Sequence, residues 1–459
     1  MNKGLALLVS SADAISTNGS TWSSRWMFIL AATGAAIGLG NIWKFPYIAG
    51  EYGGGAFVLV YLGFVFLFGL PLLTAELLIG RQGGAVPENA LRTIAQAAGK
   101  SEFWQYAGTM GAFTAGLLLS LYSVVAGWSL AYTGFAASGT LLNAEIPAVF
   151  SGLLADPLTQ FGCHTLFMAV TTWVVANGIQ DGIERSVRYL MPLLFIMLVA
   201  LAVSSALLTG EFSSSVNFLF RPNFSALSLA AFSEAAGHAF YTLSLGVCGM
   251  MVYGAFLDRK VSITRAALTV ATIDTLVAIT AALMIFPIVF AKGLAASAGP
   301  GLIFITLPMA FAELPQGRWI ATAFFILIAI AAWTSAVAIL TVVAKSISGR
   351  FKVALMPAAV LSGFAIWLLG IASVLANNHW AHIKIAGLGI IDFLDTLLTG
   401  ILLPSGGLAV ALFAGWVMNM RQIQSELREL NSLQCRTWRM LIRYIAPLGL
   451  VTMIICRFV

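Results

Sequence analysis

Long apolar stretches alternate with short polar connections from residue 24 to residue 457. Stretches of at least ~18 predominantly apolar residues predict membrane-spanning helices, because a helix needs about 20 residues to cross the hydrocarbon core. This criterion predicts eleven spans near residues 24–49, 55–80, 104–138, 162–178, 187–209, 226–256, 264–292, 318–346, 354–375, 388–418 and 439–457. Several of these stretches are longer than a straight span requires, which allows tilt or interruption.

The connections between spans carry different patterns. The inner connection 81–102, which contains glycines and Pro87, predicts a short surface helix. The outer connection 138–162 contains Gly, Pro and Asp and predicts a loop. The stretch 421–439 predicts one amphipathic cytoplasmic helix before the last span.

Glycines interrupt the first span at Gly34, Gly38 and Gly40, immediately before Asn41 and Lys44. Each glycine weakens a helix by up to about 1 kcal/mol relative to alanine. Irregular backbone inside a membrane is tolerated where it is buried in protein or lines a polar cavity. A contact face between helices would also explain the glycines. Polar residues at the same depth favour a binding site.

The sixth span repeats this pattern, with Tyr241, Thr242, Ser244, Gly246 and Gly249 near its centre. Two glycine-interrupted spans at corresponding positions of two five-span halves are typical of inverted-repeat secondary transporters. The N-termini of the half-helices would attract an anionic group, whereas their C-termini and freed carbonyls suit a cation.

The composition supports a membrane protein with several helical spans. Of the 459 residues, 60% are hydrophobic and 9% are charged, whereas soluble proteins contain about 25% charged residues. With a cytoplasmic N-terminus, 18 of the 24 Lys and Arg residues lie on the inner side, as the positive-inside rule requires. We therefore expect a plasma (inner) membrane protein with its C-terminus outside. The net charge of +6 reflects this topology and gives no reason to expect a nucleic-acid partner.

Two carboxylates lie within predicted spans, at Glu76 and Asp274. A charge at that depth costs at least ~2.5 kcal/mol if it is unpaired, so both require partners. Glu76 is expected to accept hydrogen bonds from backbone N–H groups that a broken neighbouring span exposes. Tyr122 in the third span is either a hydrogen-bond donor between helices or a ligand group.

The sequence indicates neither a catalytic site nor a structural metal site. The four cysteines have no metal-ligand spacing, and at least two of them fall within spans, so we interpret them as packing residues. The four histidines are scattered, and no nucleophile is paired with a base. We therefore predict that the protein is not an enzyme.

The motifs together resemble the neurotransmitter:sodium symporter family, most closely its bacterial eleven-span members, over residues 22–416. They are Gly38-Leu39-Gly40-Asn41-Ile42-Trp43-Lys44-Phe45-Pro46, Thr242-Leu243-Ser244-Leu245-Gly246, Trp333-Thr334-Ser335, Asp392-Phe393-Leu394-Asp395 and Leu403-Pro404-Ser405-Gly406-Gly407. The resemblance implies an all-α, leucine-transporter-type fold of two inverted five-helix repeats with broken first and sixth spans. The repeats would be residues 23–209 and 226–418, with a cytoplasmic tail at 1–22 and an amphipathic linker and eleventh span at 419–459.

The resemblance also implies a substrate site and two sodium sites. The substrate would contact Ala36, Gly38, Gly40, Leu118, Tyr122, Tyr241, Ser244, Val247, Ser335 and Ile339. One sodium ion would be held by Ala36, Asn41, Thr242 and Asp274, and the other by Gly34, Ile37, Ala331, Thr334 and Ser335. Oxygen atoms are the ligands that hard cations prefer.

The gates implied by the resemblance depart from the family pattern. Lys44 stands where the family has an arginine and would pair with Asp395 as the outer gate, without bidentate geometry. At the inner gate Trp22 is kept, but the arginine position falls at Gly19 and the acidic position near Gly349. His238 replaces a glutamine, from which we expect pH sensitivity. Pro192 has no N–H for the carbonyl of Arg188, Gly182 can absorb a change in backbone dihedrals, and their spacing resembles one in the family. We therefore expect the fifth span to unwind locally between them during inward release; the alternative is a static proline kink.

The expected function is sodium-driven import of a neutral, apolar or aromatic L-amino acid by alternating access. Chloride independence is expected because Asp274 and Ala278 stand where chloride-dependent members have asparagine and serine. The alternatives are a substrate-gated sensor or channel without coupled transport, and a membrane-embedded enzyme. The expected partners are the amino acid, sodium ions and the lipid bilayer, and the sequence carries no prediction of oligomeric state.

Overall fold

A computed structural model describes residues 21–293 and 301–456, and it has helices in all eleven predicted spans. We number them span 1 to span 11: Arg25–Ala36 with Gly40–Glu51, Gly55–Gly83, Glu102–Ser138, Pro157–Ala176, Ile179–Thr209, Leu229–Thr242 with Gly249–Gly254, Ile263–Ala291, Gly317–Phe351, Leu355–Leu375, Ile390–Val417 and Ser432–Ile455. Within the described residues, eight helices and the bent span 1 are long and apolar enough to cross a membrane. Span 4 and the broken span 6 complete the predicted eleven.

Two predictions about the connections between spans are wrong. The outer region 138–162 is largely helical, with Thr140–Asn143 and Ile146–Ala155 before span 4, because Pro and Gly there delimit short helices. The predicted linker helix is divided in two: Met420–Glu426 is a separate helix, and Ser432–Met440, which Asn431 caps, is the beginning of span 11. The short helix predicted in the connection 81–102 is present as Pro87–Ala97.

Both predicted breaks are present. Span 1 bends by 57° between its halves, where Ile37 leaves the helical conformation with ψ 113°. Span 6 is interrupted over residues 243–248, where Ser244, Gly246 and Cys248 have positive φ angles of 52°, 84° and 61°. Glycine adopts this conformation without steric cost, so Gly246 suits the centre of the break.

The spans pack so that the two breaks lie near one another in the interior. Span 8 packs along span 3, span 4 against span 9, and span 5 against span 7. The C-terminal half of span 6 packs against span 2, and at Gly80 a Cβ would lie only 1.8 Å from the carbonyl oxygen of Met251. Backbone contact this close requires glycine, and it fixes the broken span 6 against the intact span 2.

Candidate functional site

A cavity lies between the two broken spans, and all ten predicted substrate residues line it. Span 1 contributes Ala36, Gly38 and Gly40, span 3 contributes Leu118 and Tyr122, span 6 contributes Tyr241, Ser244 and Val247, and span 8 contributes Ser335 and Ile339. Polar groups lie where span 1 is broken, whereas the side chains from spans 3, 6 and 8 include Leu, Val and Ile. The cavity therefore has one polar region and one apolar region.

Four further residues line the cavity: Leu39, Thr242, Leu245 and Leu403. Thr242 was predicted only as a sodium ligand, and the three leucines were not predicted at all. Leu403 precedes Pro404 and the glycine pair of span 10, a motif that identified the resemblance but not a contact with the cavity. A Cβ on Gly406 would lie 2.0 Å from the carbonyl oxygen of Gly246, so this glycine brings span 10 against the break of span 6.

Tyr122 extends from span 3 to the break in span 1. Its hydroxyl oxygen accepts a hydrogen bond from the backbone N–H of Leu39 at 3.2 Å. The same oxygen lies 2.8 Å from the place where a Cβ on Gly38 would be, as does Oγ of Ser335. Tyr122 is therefore a hydrogen-bonding link between helices, and its hydroxyl group also faces the cavity.

Three of the four residues predicted for the first sodium ion form one hydrogen-bonded cluster. Nδ2 of Asn41 donates to Oδ1 of Asp274 at 2.7 Å and to Oγ1 of Thr242 at 3.0 Å. The hydroxyl of Thr242 donates to Oδ2 of Asp274 at 2.9 Å. The three side chains are buried, and Ala36 lies on the adjacent cavity wall.

The five residues predicted for the second sodium ion lie between spans 1 and 8. The hydroxyl of Ser335 donates to the carbonyl oxygen of Ile37 at 2.9 Å, and the carbonyl oxygens of Ala35 and Gly34 lie 3.2 and 3.4 Å from the same Oγ. The hydroxyl of Thr334 donates to the carbonyl oxygen of Ala331 at 3.0 Å. Carbonyls freed by the break in span 1 thus face the hydroxyl group of Ser335 in span 8.

These two clusters consist mainly of neutral oxygens, with the single carboxylate of Asp274. Among the described residues, no group of three or more His, Cys, Asp or Glu side chains is arranged to hold a metal ion. Neutral oxygens with one carboxylate suit a hard cation of low charge. The donors therefore fit sodium better than a transition metal.

Glu76 has the role predicted from its position. Its Oε1 accepts a hydrogen bond from the backbone N of Gly246 at 2.9 Å, and the side chain is 1% exposed. The N–H group is available because the break in span 6 removes its helical partner. The prediction that Glu76 serves the exposed backbone of a broken neighbour is confirmed.

The expected outer-gate ion pair is not formed in this conformation. The ion pairs found among the described residues do not join Lys44 to Asp395. Nζ of Lys44 instead lies 5.4 Å from the centroid of the Tyr241 ring, close enough for a cation–π contact. Asp395 is exposed, while Tyr241 and Leu403 line both the cavity and a neighbouring pocket to which Lys44 also contributes. The planar guanidinium group of arginine can form two parallel hydrogen bonds with a carboxylate, whereas the lysine ammonium group cannot. An ion pair of Lys44 with Asp395 is therefore less constrained by geometry.

His238 lies deeper than the sequence suggested. Its side chain is fully buried, with ring centroids of Phe45 and Tyr61 at 5.7 and 5.4 Å. Neither ring nitrogen has a hydrogen-bond partner among the described residues. The expected pH sensitivity stays a prediction, and it would have to come from a buried imidazole.

At the predicted cytoplasmic end, Trp22 is buried and its Nε1 donates to the carbonyl oxygen of Tyr253 at 3.2 Å. Gly19 and most of the predicted tail lie outside the described residues. A Cβ on Gly349 would lie 2.6 Å from a methyl group of Val86, which leaves little room for the acidic gate residue that the family has there.

Span 5 is fully wound in this conformation. Ile179–Glu184 is a π-helical turn that continues into an α-helix at Arg185–Thr209, with Pro192 inside it. The connection between the predicted spans 162–178 and 187–209 is therefore mostly helical, because the π-turn extends the span at its start. Met191 packs against Gly34, where a Cβ would lie 2.9 Å from the Met191 sulfur atom. Span 5 thus covers the second oxygen cluster.

Comparison with known proteins identifies close relatives over nearly the whole chain. A model of the sodium:neurotransmitter symporter family matches residues 19–146 and 155–459. An uncharacterized sodium-dependent transporter of Bacillus subtilis (strain 168), YhdH, is 35% identical over 436 residues, covering 94% of this chain and 96% of that protein. An uncharacterized sodium-dependent transporter of Haemophilus influenzae is 32% identical over 449 residues, covering 95% and 97%.

The fold is also similar to a solved structure. The crystal structure of MhsT in complex with L-phenylalanine superposes with a TM-score of 0.87 at 40% sequence identity. The match covers 96% of this chain and all of the other. The two broken spans and the helices packed around them therefore occur in an experimentally determined architecture.

Proposed function

The chain belongs to the sodium:neurotransmitter symporter family, and from this premise we propose that it imports a neutral, apolar or aromatic L-amino acid. The coarser assignment, a sodium-dependent transporter of leucine-transporter-type fold that is not an enzyme, follows from the family and the structural match. The substrate class, the ion count, chloride independence and the direction of transport are the parts we propose.

The observation that carries the proposal is the single cavity lined by all ten predicted substrate residues. Its polar region, with the broken backbone of span 1 and the Tyr122 hydroxyl, suits the carboxylate and amine of an amino acid. Its apolar region, with Leu118, Val247 and Ile339, suits an apolar side chain. MhsT, the related protein of known structure, was solved with L-phenylalanine.

Two sodium ions accompany the substrate in this proposal. The first would replace the hydrogen bonds within the cluster of Asn41, Thr242 and Asp274, once the Asn41 amide turns its oxygen toward the ion. The carboxylate of the substrate would complete the ligands, so sodium and amino acid would bind together. The second would lie among Gly34, Ile37, Ala331, Thr334 and Ser335. Each positive charge that enters is driven by about 2.3 kcal/mol per 100 mV of membrane potential.

Chloride is not needed in this account. Asp274 supplies a negative charge beside the first ion, and Ala278 offers no hydroxyl to an anion. The buried carboxylate accepts hydrogen bonds from two protein side chains, Asn41 and Thr242.

Alternating access would proceed in the plasma (inner) membrane with the N-terminus in the cytoplasm and the C-terminus outside. Tyr241 and Leu403 would close the cavity toward the outer pocket, which Lys44 also lines. Unwinding of span 5 between Gly182 and Pro192 would open the second ion site inward, since Met191 covers Gly34.

A sensor or channel without coupled transport is less well supported. In this proposal Trp22, which is buried at the predicted cytoplasmic end, is the inner gate, and Tyr241, which lines the cavity, is the outer gate. Two gates around one enclosed site serve no purpose in an open pore, where ions or substrates must pass through without a full conformational cycle.

Equilibrium binding tests the proposed substrate class. Purified protein in 150 mM NaCl or 150 mM KCl would be given labelled L-leucine or L-phenylalanine, with unlabelled compounds as competitors. We expect saturable binding in sodium only, displaced by apolar and aromatic amino acids but not by amines that lack a carboxylate. Gly38 lacks the acidic side chain that would replace the missing carboxylate. Displacement by such amines, or preference for polar amino acids, would contradict the proposal.

A further inference from the structure

Glu184, at the start of span 5, binds the backbone that precedes span 1. Its Oε2 accepts a hydrogen bond from the backbone N of Ser23 at 3.1 Å, and its Oε1 accepts one from the Ser23 hydroxyl. Nearby, Nε2 of Gln180 donates to the carbonyl oxygen of Thr21 at 2.9 Å. Two side chains from the π-helical turn of span 5 therefore hold residues 21–23 in place.

The hydrogen bonds from Ser23 matter because the Glu184 carboxylate is buried. The side chain of Glu184 is 2% exposed, whereas that of Arg188, whose Nη2 lies 3.3 Å from Oε1, is 53% exposed. An ion pair with a solvated arginine contributes little, while a buried carboxylate without hydrogen-bond donors is strongly unfavourable. Ser23 is thus the partner that satisfies Glu184.

The contact between Glu184 and Ser23 involves a part of span 5 in which the α-helical hydrogen bonding is interrupted. Glu184 closes a π-helical turn, a conformation that is rare and often found at functional sites. Pro192, eight residues later, has no N–H for the carbonyl of Arg188. Glu184, Arg188 and Pro192 follow at intervals of four and share one face of the helix.

The same segment contacts span 1 a second time, at the proposed sodium site. Met191 packs on Gly34, whose carbonyl oxygen is one of the five predicted ligands of the second ion. Residues 182–192 therefore touch span 1 at two places, at Ser23 before the helix and at Gly34 beside the ion site.

We propose that Glu184 is the positioning residue that closes the inner gate by anchoring Ser23 to wound span 5. While span 5 is helical, Ser23 is held and Trp22 stays packed over Tyr253. When the start of span 5 unwinds, Glu184 no longer binds Ser23, and the inner end of span 1 is released. Met191 then no longer covers Gly34 at the second ion site. This latch takes the place of an acidic residue at Gly349, and it rests on the alternating-access function proposed above.

Hydrogen–deuterium exchange of full-length protein in sodium, without substrate, tests this latch. We expect Glu184→Ala to accelerate exchange of the amides in residues 22–28 at least tenfold. We also expect it to raise several-fold the sodium concentration needed for half-maximal substrate binding. Ser23→Ala, which keeps one of the two hydrogen bonds, should change both readouts in the same direction by a smaller amount. Combined with Glu184→Ala, it should add nothing further.

Two controls separate the latch from general destabilisation. Arg188→Ala removes only the exposed ion pair, and Ser24→Ala removes the cap that accepts a hydrogen bond from Met27 N without touching Glu184. Both should stay within twofold of the wild type in sodium dependence. Unchanged exchange in Glu184→Ala would overturn the proposal, as would a shift of the sodium dependence in Arg188→Ala or Ser24→Ala equal to that in Glu184→Ala. If Glu184→Ala does not fold, the sodium dependence of Ser23→Ala is compared with that of Ser24→Ala. A larger shift in Ser23→Ala would support the latch, and equal shifts would overturn it. Loss of sodium-dependent binding in the wild type would instead contradict the proposed function.

Discussion

Oε1 of Glu76 lies 2.9 Å from the backbone N of Gly246 and accepts its hydrogen bond. This contact joins an intact helix, span 2, to the centre of the break in span 6. It explains how exposed backbone can be stable in the interior of a membrane protein, where an unsatisfied N–H group has no water to bind.

Removal of this acceptor should damage the substrate site from a distance. We expect Glu76→Ala to cost about 1–3 kcal/mol, because it leaves a buried N–H group unsatisfied, and to abolish most substrate binding. Glu76→Gln keeps a carbonyl oxygen and should be milder in both respects. Thermal unfolding and sodium-dependent binding in detergent measure the two effects. Wild-type binding by Glu76→Ala would show that the hydrogen bond does not support the break.

The cavity has no room for a side chain at Gly38. A Cβ there would lie 2.8 Å from both Tyr122 Oη and Ser335 Oγ. Overpacking of this kind costs about 1–3 kcal/mol, so Gly38→Ala should weaken amino-acid binding about 5- to 150-fold. Gly63→Ala in span 2 is the matched control, since no atom lies within 4 Å of its added Cβ. Equal affinities of the two variants would place the substrate elsewhere.

Chloride should have no effect on transport. Asp274 provides the negative charge beside the proposed first sodium ion, and its two hydrogen-bond donors are protein side chains. We expect the same uptake rate when gluconate replaces chloride at constant sodium. A steep dependence on chloride concentration would show that an anion, and not Asp274, balances the sodium charge.

The unwinding of span 5 can be tested at Pro192. Alanine would restore the hydrogen bond to the carbonyl of Arg188 and stabilise the wound helix by up to about 3 kcal/mol. Pro192→Ala should therefore slow transport at least tenfold while sodium-dependent binding stays intact. Pro357→Ala, at the exposed first turn of span 9, is the control. Transport by Pro192→Ala at the wild-type rate, or loss of its binding, would argue for a static proline kink.

Features that leave a hydrophobic pattern or a motif in the sequence could be predicted from it. The eleven spans follow from hydrophobic length, and the breaks at Gly38 and Gly246 from glycines beside polar residues. The ten cavity residues were identified by motif resemblance, and the structure places all of them on one cavity. Glu76 was predicted from physical reasoning alone, since an embedded carboxylate requires donors.

Contacts that depend on how separate helices pack could not be predicted, because no periodic pattern or motif in the sequence indicates them. Leu403 lines the cavity only because Gly406 lets span 10 approach the break of span 6. Lys44 lies over Tyr241 and not beside Asp395, because rotamers and local packing decide between two attractive partners. The Ser23 contact of Glu184 joins residues 161 positions apart, and neither residue belongs to a motif that would predict it.

In the proposed function, a sodium gradient drives accumulation of an apolar amino acid through this cavity. The most direct measurement is uptake of labelled L-leucine or L-phenylalanine into proteoliposomes with sodium outside and potassium inside, with Gly38→Ala and empty liposomes as controls. We expect accumulation above the external concentration that collapses when a sodium ionophore is added, and little uptake in either control. Uptake that only equilibrates, or that proceeds equally well without a sodium gradient, would contradict it.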